Sequence, residues 1–274
     1  MNGAPTRAAL NLRAMRARAY VRLVAAVREP GWAFTEGVLP SLAMAAYVML
    51  YRALGAPAHF EAIAVLGGVL SVFWLNVLWS MGAQLYWEKQ QGQLALYFAA
   101  PCDRMAILTG MAAGGLAMTL PRALISIAVG FGVLGVRVPA FDPWLMLLVF
   151  AVTMTALYAL GMIMASLFLL HGREAWHYCN ALQEPVYFLS GLYFPLRSLG
   201  ALGALATGIL PLALGVDAMR QVMLGPLAQG MFPVWAEVAA LAAMGAVLLV
   251  AARFAMAHLE RLAKREGRLT QRWQ

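Results

Sequence analysis

Asn76, Ser80, Gln84 and Glu88 recur at every fourth residue along a run otherwise rich in Val, Leu and Trp. Residues at that spacing lie on one slowly drifting face of a helix. A polar stripe of this kind points away from lipid. It either lines a path for a polar solute or hydrogen-bonds to a neighbouring helix, the commoner use of Asn and Ser in such settings. Two charges sit in similarly apolar surroundings: Arg122, which follows Pro121, and Glu237. An ionisable group inside a membrane span costs roughly 2.5–3.5 kcal/mol and calls for a partner or a watery cavity. Counted at about 1.5 Å per residue, both fall in the outer half of their helices. They are expected to pair with each other, or else Arg122 reaches the outer head groups separately. Glu184 precedes Pro185 inside a further apolar run, where a proline frees a carbonyl and bends the helix, as a static kink or a flexion point.

Other chemistries have no residues to carry them. A phosphate-binding loop needs a lysine directly after a glycine, and neither Lys89 nor Lys264, the two lysines of the chain, has one. By that route the chain hydrolyses no nucleotide, so any ATP-driven work needs a separate ATPase subunit. His59, His171, His177 and His258 form no paired-ligand motif, and Cys102 and Cys179 form no C-x-x-C, so neither a metal nor a disulfide framework is expected. The formal net charge is +8, but the arginines flank apolar runs rather than forming a soluble basic face. Anionic lipid head groups, not nucleic acid, are the partner this implies.

The elements that position these residues follow from composition. Hydrophobic residues make up 63% of the chain and charged residues 12%, against about 45–50% and ~25% in a soluble domain. A helix needs roughly 20 mostly apolar residues to cross the hydrocarbon core. Ala62–Trp87 and Trp144–Leu170 contain no charge; Trp32–Leu54, Met105–Gly135, Ala175–Pro195 and Phe232–His258 are each interrupted by one or two. The fold class expected is an all-α membrane protein with six transmembrane helices. The arginine-rich start lacks a small-residue cleavage pattern, so the first run is read as a retained span.

Lys and Arg are held on the cytoplasmic side during insertion. With the N-terminus inside, the outer links carry only Arg52, Arg137, Arg197 and Arg220, and both termini are cytoplasmic. Trp32, Trp87, Trp144, Trp176 and Trp235 fall near span ends, as interfacial anchors do. Residues Arg7 to Glu29 intersperse Leu10, Leu12, Met15, Tyr20, Leu23, Val24 and Val27 with arginines, either as a helix in the head-group layer or as a disordered basic tail. Leu196–Met231 is too apolar for a solvated loop and is split by Pro211, which predicts two short helices on or dipping into the outer face. Gly110 and Gly114 make a small-xxx-small pair suited to close helix packing.

The link after the second span runs from Glu88 through Gly92, Pro101 and Arg104 to Gly110. It resembles the first cytoplasmic loop of type-2 ATP-binding-cassette permeases, where a Glu, a Gly four residues on, a short amphipathic helix, a Pro and an Arg recur. Ser190-Gly-Leu-Tyr-Phe-Pro195, Pro211, Ala218-Met-Arg220 and Gly225 are similar to that family's fifth-span end and outer hairpin. Gln93 and Ala95 stand where the family commonly has Thr and an acidic residue.

The resemblance implies that Glu88, Gly92, Leu94, Tyr97, Phe98, Pro101 and Arg104 couple the spans to an ATPase subunit. Leu94, Leu96, Tyr97 and Phe98 would give the apolar contact, and Glu88, Asp103 and Arg104 the charged edges. It also implies two ATPase copies, a homodimer or sibling permease, and export of an amphipathic or lipid-linked substrate across the inner membrane by alternating access. ATP and Mg would belong to the partner, with no cofactor bound by this chain. Asn76, Ser80, Gln84, Arg122, Glu184 and Glu237 would line the path or join helices. Residues 1–30 form the interfacial helix, 31–258 the six-span domain and 259–274 a basic tail. Two other readings are a proton-coupled secondary transporter using Glu36, Glu184 or Glu237, and an integral-membrane enzyme acting on lipids.

Overall fold

The computed structural model describes residues 6–28, 30–139, 141–171, 175–228 and 230–266. Among these residues all regular structure is helical. The helices are α1 (Arg7–Arg28), α2 (Pro30–Ala53), α3 (His59–Leu75), α4 (Gln84–Gln90), α5 (Leu94–Ala99), α6 (Arg104–Ile127), α7 (Pro143–His171), α8 (Ala175–Leu189), α9 (Ala201–Ile209), α10 (Pro211–Leu224) and α11 (Val234–Glu266). A π-helical segment, Asn76–Gly82, joins α3 to α4, so that one rod covers His59–Gln90. Another, Ala128–Val133, extends α6.

This rod, the second span, is the hub. Of its most apolar window 78% is buried, against 17% for α11 and 28% for α2. Around it α2 packs on α3, α6 and α7 flank the π segment, and α11 lies along α7. Trp74, Phe73, Leu78 and Met81 fill the centre. Large side chains on the outward faces of α2, α7 and α11, such as Leu42, Trp144 and Val247, are exposed, as the lipid side of a membrane helix should be. Exposed Trp87 and Trp235 near span ends suit interfacial anchoring; the side chains of Trp32 and Trp176 lie outside the described residues.

Among the described residues five helices are long and apolar enough to cross a membrane, or six if the pair α9 and α10, bent by 109°, counts as one. This refines the six-span expectation. The fifth run forms α8, which has 15 residues and rises only about 22 Å, short of the ~30 Å hydrocarbon core. Its C-terminus is set by a Schellman turn: Leu192 N–H donates to the Tyr187 carbonyl and Gly191 N–H to Phe188, with Gly191 at φ +57°. The expected split at Pro211 is present, because Pro211 begins α10 where its missing N–H costs nothing.

The turn after α8 is locked to its surroundings. Arg220 of α10, fully buried, donates to the carbonyls of Phe194 at 2.9 Å and of Gly191. Tyr193 stacks on Tyr47 with ring centroids 4.0 Å apart. Gly67 of α3 lies under this turn so closely that a Cβ there would sit 1.8 Å from the Leu192 carbonyl oxygen.

α1 lies on α6. A Cβ on Gly110 would fall 2.6 Å from the Met15 carbonyl oxygen, and one on Gly114 2.9 Å from Ala19 Cα. The small-residue pair therefore brings backbones together as expected, though the partner is the N-terminal helix. The other side of α1 exposes Leu12, Tyr20, Val21 and Val27. The end of the bundle where α1, α5, the start of α6 and the end of α11 meet is called the basic face below.

Candidate functional site

The segment from Glu88 to Arg104 is shaped by local rules at both ends. Gln93 N–H donates to the Glu88 carbonyl and Gly92 N–H to Lys89, at 2.9 and 3.0 Å. Gly92, at φ +76°, thus occupies the left-handed position of a second Schellman turn, which is why a glycine must follow Glu88 by four. At the far end Asp103 caps α6, its carboxylate accepting the Met105 N–H at 2.9 Å. Between the caps, α5 and Pro101 reverse the chain.

Side chains on this segment divide into those that hold it and those that remain accessible. Leu94 is buried against the spans, whereas Leu96 is 69% exposed. Gln91, Gly92, Gln93, Ala99 and Pro101 are exposed. Tyr97 accepts a hydrogen bond from Arg18 of α1 at 2.6 Å, and the Arg18 guanidinium lies 4.7 Å from its ring centroid. Burial and the negative charge of Glu88 push the Tyr97 phenol up to about 12, so it stays protonated. Two expectations are corrected here. Glu88 is not a charged edge but a buried group, 3% exposed, paired with Arg18. Leu94 faces inward rather than toward a partner. Arg104 stands at the start of α6, half-buried, and Phe98's side chain lies outside the described residues.

Each position of the stripe on the second span makes at least one side-chain hydrogen bond. Tyr158 of α7 donates to Asn76 at 2.9 Å. Arg22 of α1 donates to the Ser80 hydroxyl at 3.0 Å and to its carbonyl. Gln84 donates to Glu88 at 2.8 Å, and Glu88 accepts from Arg18. The π segment keeps the stripe straight. A four-residue step overshoots a turn of 3.6 residues but undershoots the wider turn closed by i→i+5 hydrogen bonds, so the drift reverses between Asn76 and Gly82. Sequence reading missed the segment, along with Arg18 and Arg22; the four-residue spacing of those two arginines on an otherwise amphipathic helix was the available signal.

A cleft of about 760 Å³ opens between α2, the second span, α6 and α8. Trp79, Tyr187 and Tyr193 supply aromatic walls; Asn76, Asn180 and Gln183 supply amides. Trp79 donates its indole N–H to Gln183 at 2.9 Å, joining the second span to α8. Arg122 lies in this cleft, 3% exposed, and its ion pair is with Glu36 of α2. The expected Arg122–Glu237 pair is therefore not formed. α6 turns Arg122 toward α2, while Glu237, in the first turn of α11, accepts from Gln221 at 2.9 Å and from Phe232 N–H at 3.3 Å. Glu184 is exposed on α8 and does not line the cleft. Among the described residues no group of His, Cys, Asp and Glu is arranged to hold a metal.

The sequence matches the ABC-2 type transporter family over residues 19–224, from within α1 to the end of α10. The chain belongs to that family. It is a multi-pass membrane protein and the permease subunit of an ABC transporter, and the family implies an ABC ATPase as its partner. Among curated proteins none matches the permease. The match takes in the capped segment, the cleft and the hairpin alike, and the permease carries no nucleotide-hydrolysis motif of its own.

Proposed function

We propose that the permease works as an exporter half in the inner membrane, with its basic face and both termini in the cytoplasm. Two copies, or one copy and a sibling, bind two ATPase subunits, which hold the ATP and Mg. The exposed edge from Gln91 to Pro101, with Leu96 at its centre, enters a groove of the ATPase. ATPase closure then moves the cleft between α2, the second span and α8 from one side to the other, carrying an amphipathic or lipid-linked substrate. On this reading residues 1–30 lie in the head-group layer, 31–258 span the membrane, and 259–274 form a basic tail.

The observation that carries this reading is the double attachment of α5, reinforced by an ion pair between α1 and the second span. Leu94 anchors it to the spans, Tyr97 ties it to α1 through Arg18, and Arg18 also holds Glu88 at the end of the second span. A force on Leu96 therefore reaches the hub as a rigid-body displacement, the manner in which packed elements transmit motion.

The test is purification in mild detergent with identification of the co-eluting ATPase, followed by crosslinking from cysteines placed at Gln93 and Leu96. Crosslinks to the ATPase, with hydrolysis reduced in Gly92→Ala and Pro101→Ala, support the proposal. A segment that labels only from the periplasmic side, or a permease active without an ATPase, overturns it.

A further inference from the structure

Arg122 stands apart among the described residues in having two buried nitrogens, Nε and Nη2, without a hydrogen-bond partner. These two form one edge of the guanidinium. Their N–H bonds run side by side, the fork that takes both oxygens of a carboxylate or phosphate. The ion pair with Glu36 uses the third nitrogen, Nη1, and leaves that edge unused. Arg18 and Arg220, the other buried arginines with such an atom, have it at Nε alone, so neither offers a whole fork. Buried donors are nearly always met, and an exception of this kind calls for a physical reason.

Arg122 lines the cleft of about 760 Å³ between α2, the second span and α8, a volume in the range of sites that hold small ligands. Asn76, on the same lining, also has a buried nitrogen without a partner, its oxygen being taken by Tyr158. Charge at this wall is out of balance. Glu36 is the one acid of the lining and is committed to Arg122. Arg22, buried behind Ser80, donates to that residue's hydroxyl and carbonyl, and no carboxylate among the described residues pairs with it. One positive charge in excess therefore stands beside the cleft, which disfavours a cation. A neutral hydroxyl answers one N–H of the fork, whereas an oxyanion answers both with charge-assisted bonds. Much of the remaining lining is apolar or aromatic, with Leu39, Val72, Leu75, Trp79 and Tyr187, which suits a hydrocarbon carried by that oxyanion.

We infer that the cleft recognises an acidic amphiphile, with a carboxylate or phosphate group on the Nε–Nη2 edge of Arg122 and an apolar body against Trp79, Tyr187 and Leu39. That the cleft holds substrate rests on the proposed function, and the fork narrows that substrate to an anionic one. Both fork atoms are shielded from water, so the oxyanion reaches them by moving side chains of the lining, the partly exposed Glu36 among them. Glu36 is then an internal competitor. It holds Arg122 when no substrate is bound, and its charge opposes the incoming anion.

The experiment is equilibrium binding of radiolabelled decyl phosphate to the permease in phosphatidylcholine nanodiscs, corrected for nanodiscs without protein. Unlabelled decanoate should compete. Decanol, decyltrimethylammonium and inorganic phosphate should compete about tenfold or more less well, the scale of a hydrogen bond to a charged group. Arg122→Met should weaken binding by about tenfold or more, and Arg122→Lys, which keeps the charge without the fork, should retain only part of it. Glu36→Gln should tighten binding severalfold even though it destabilises the permease, a gain that a misfolded protein does not show. Competition by decanol, decyltrimethylammonium or inorganic phosphate equal to that by decanoate, wild-type binding in Arg122→Met or Arg122→Lys, or no gain in Glu36→Gln overturns the inference. None of these arms involves ATP or transport. Absence of acid binding in a permease that co-elutes with its ATPase sinks this inference alone, and acid binding in a permease that works without an ATPase sinks the proposed function alone.

Discussion

Arg18→Ala strips Glu88 of its ion-pair partner. The carboxylate is 3% exposed and the arginine side chain 13%, so the pair is close to fully desolvated. Removing one member of a buried pair costs roughly 3–5 kcal/mol, because the other charge is left uncompensated. Gln84 still donates to Glu88 at 2.8 Å, which places the loss near the lower end, about 3 kcal/mol. The Tyr97 phenol loses its donor as well, worth about 1 kcal/mol. At roughly 2–4 °C per kcal/mol for a chain of this order of size, the unfolding midpoint should fall by roughly 8–16 °C. Cys179 is free and fully buried, so a thiol-reactive dye reports the transition. The double variant Arg18→Ala/Glu88→Gln removes the stranded charge and should recover more than half of the loss. A drop under about 2 °C, or a double variant no better than the single one, refutes the assignment of Arg18 as the partner that makes a buried Glu88 tolerable.

The Arg122–Glu36 pair is asymmetric, with Arg122 at 4% and Glu36 at 36% side-chain exposure. Glu36→Gln should therefore destabilise more than Arg122→Met, and the double variant should be milder than Glu36→Gln, all read by the same dye assay. Gly110→Leu forces a side chain against the Met15 backbone; it should detach α1 from α6, seen as faster proteolysis within residues 7–28 with the other helices still protected. Gly92→Ala meets a φ of +76°, costing about 1 kcal/mol or somewhat more, and ATPase stimulation in the assembled complex should fall by more than stability does. Arg220→Met leaves the Gly191 and Phe194 carbonyls without their donor inside the bundle, so the midpoint should drop by roughly 2–3 kcal/mol in equivalent terms, with the hairpin becoming protease-sensitive first.

Much of this protein is local in origin, and the sequence by itself determined that part. Charge-free runs of sufficient length become membrane helices wherever they stand, since no other structure satisfies their backbone in lipid. Gly92 ends the second span, Asp103 starts α6 and Pro211 divides the hairpin, because caps and breaks depend on a few consecutive residues. The four-residue spacing likewise put Asn76, Ser80, Gln84 and Glu88 on one face. Which helix that face meets is a different question. Helical periodicity orients a side chain about its own axis but carries nothing about the neighbour across the contact. Arg122 chose Glu36 over Glu237, Glu88 turned inward to Arg18, and Gly110 received α1, because tertiary packing laid α2 and α1 against α6. Only that arrangement made the N-terminal helix part of the support of the Glu88–Arg104 segment, with two arginines reaching into a stripe whose spacing alone left its partners open.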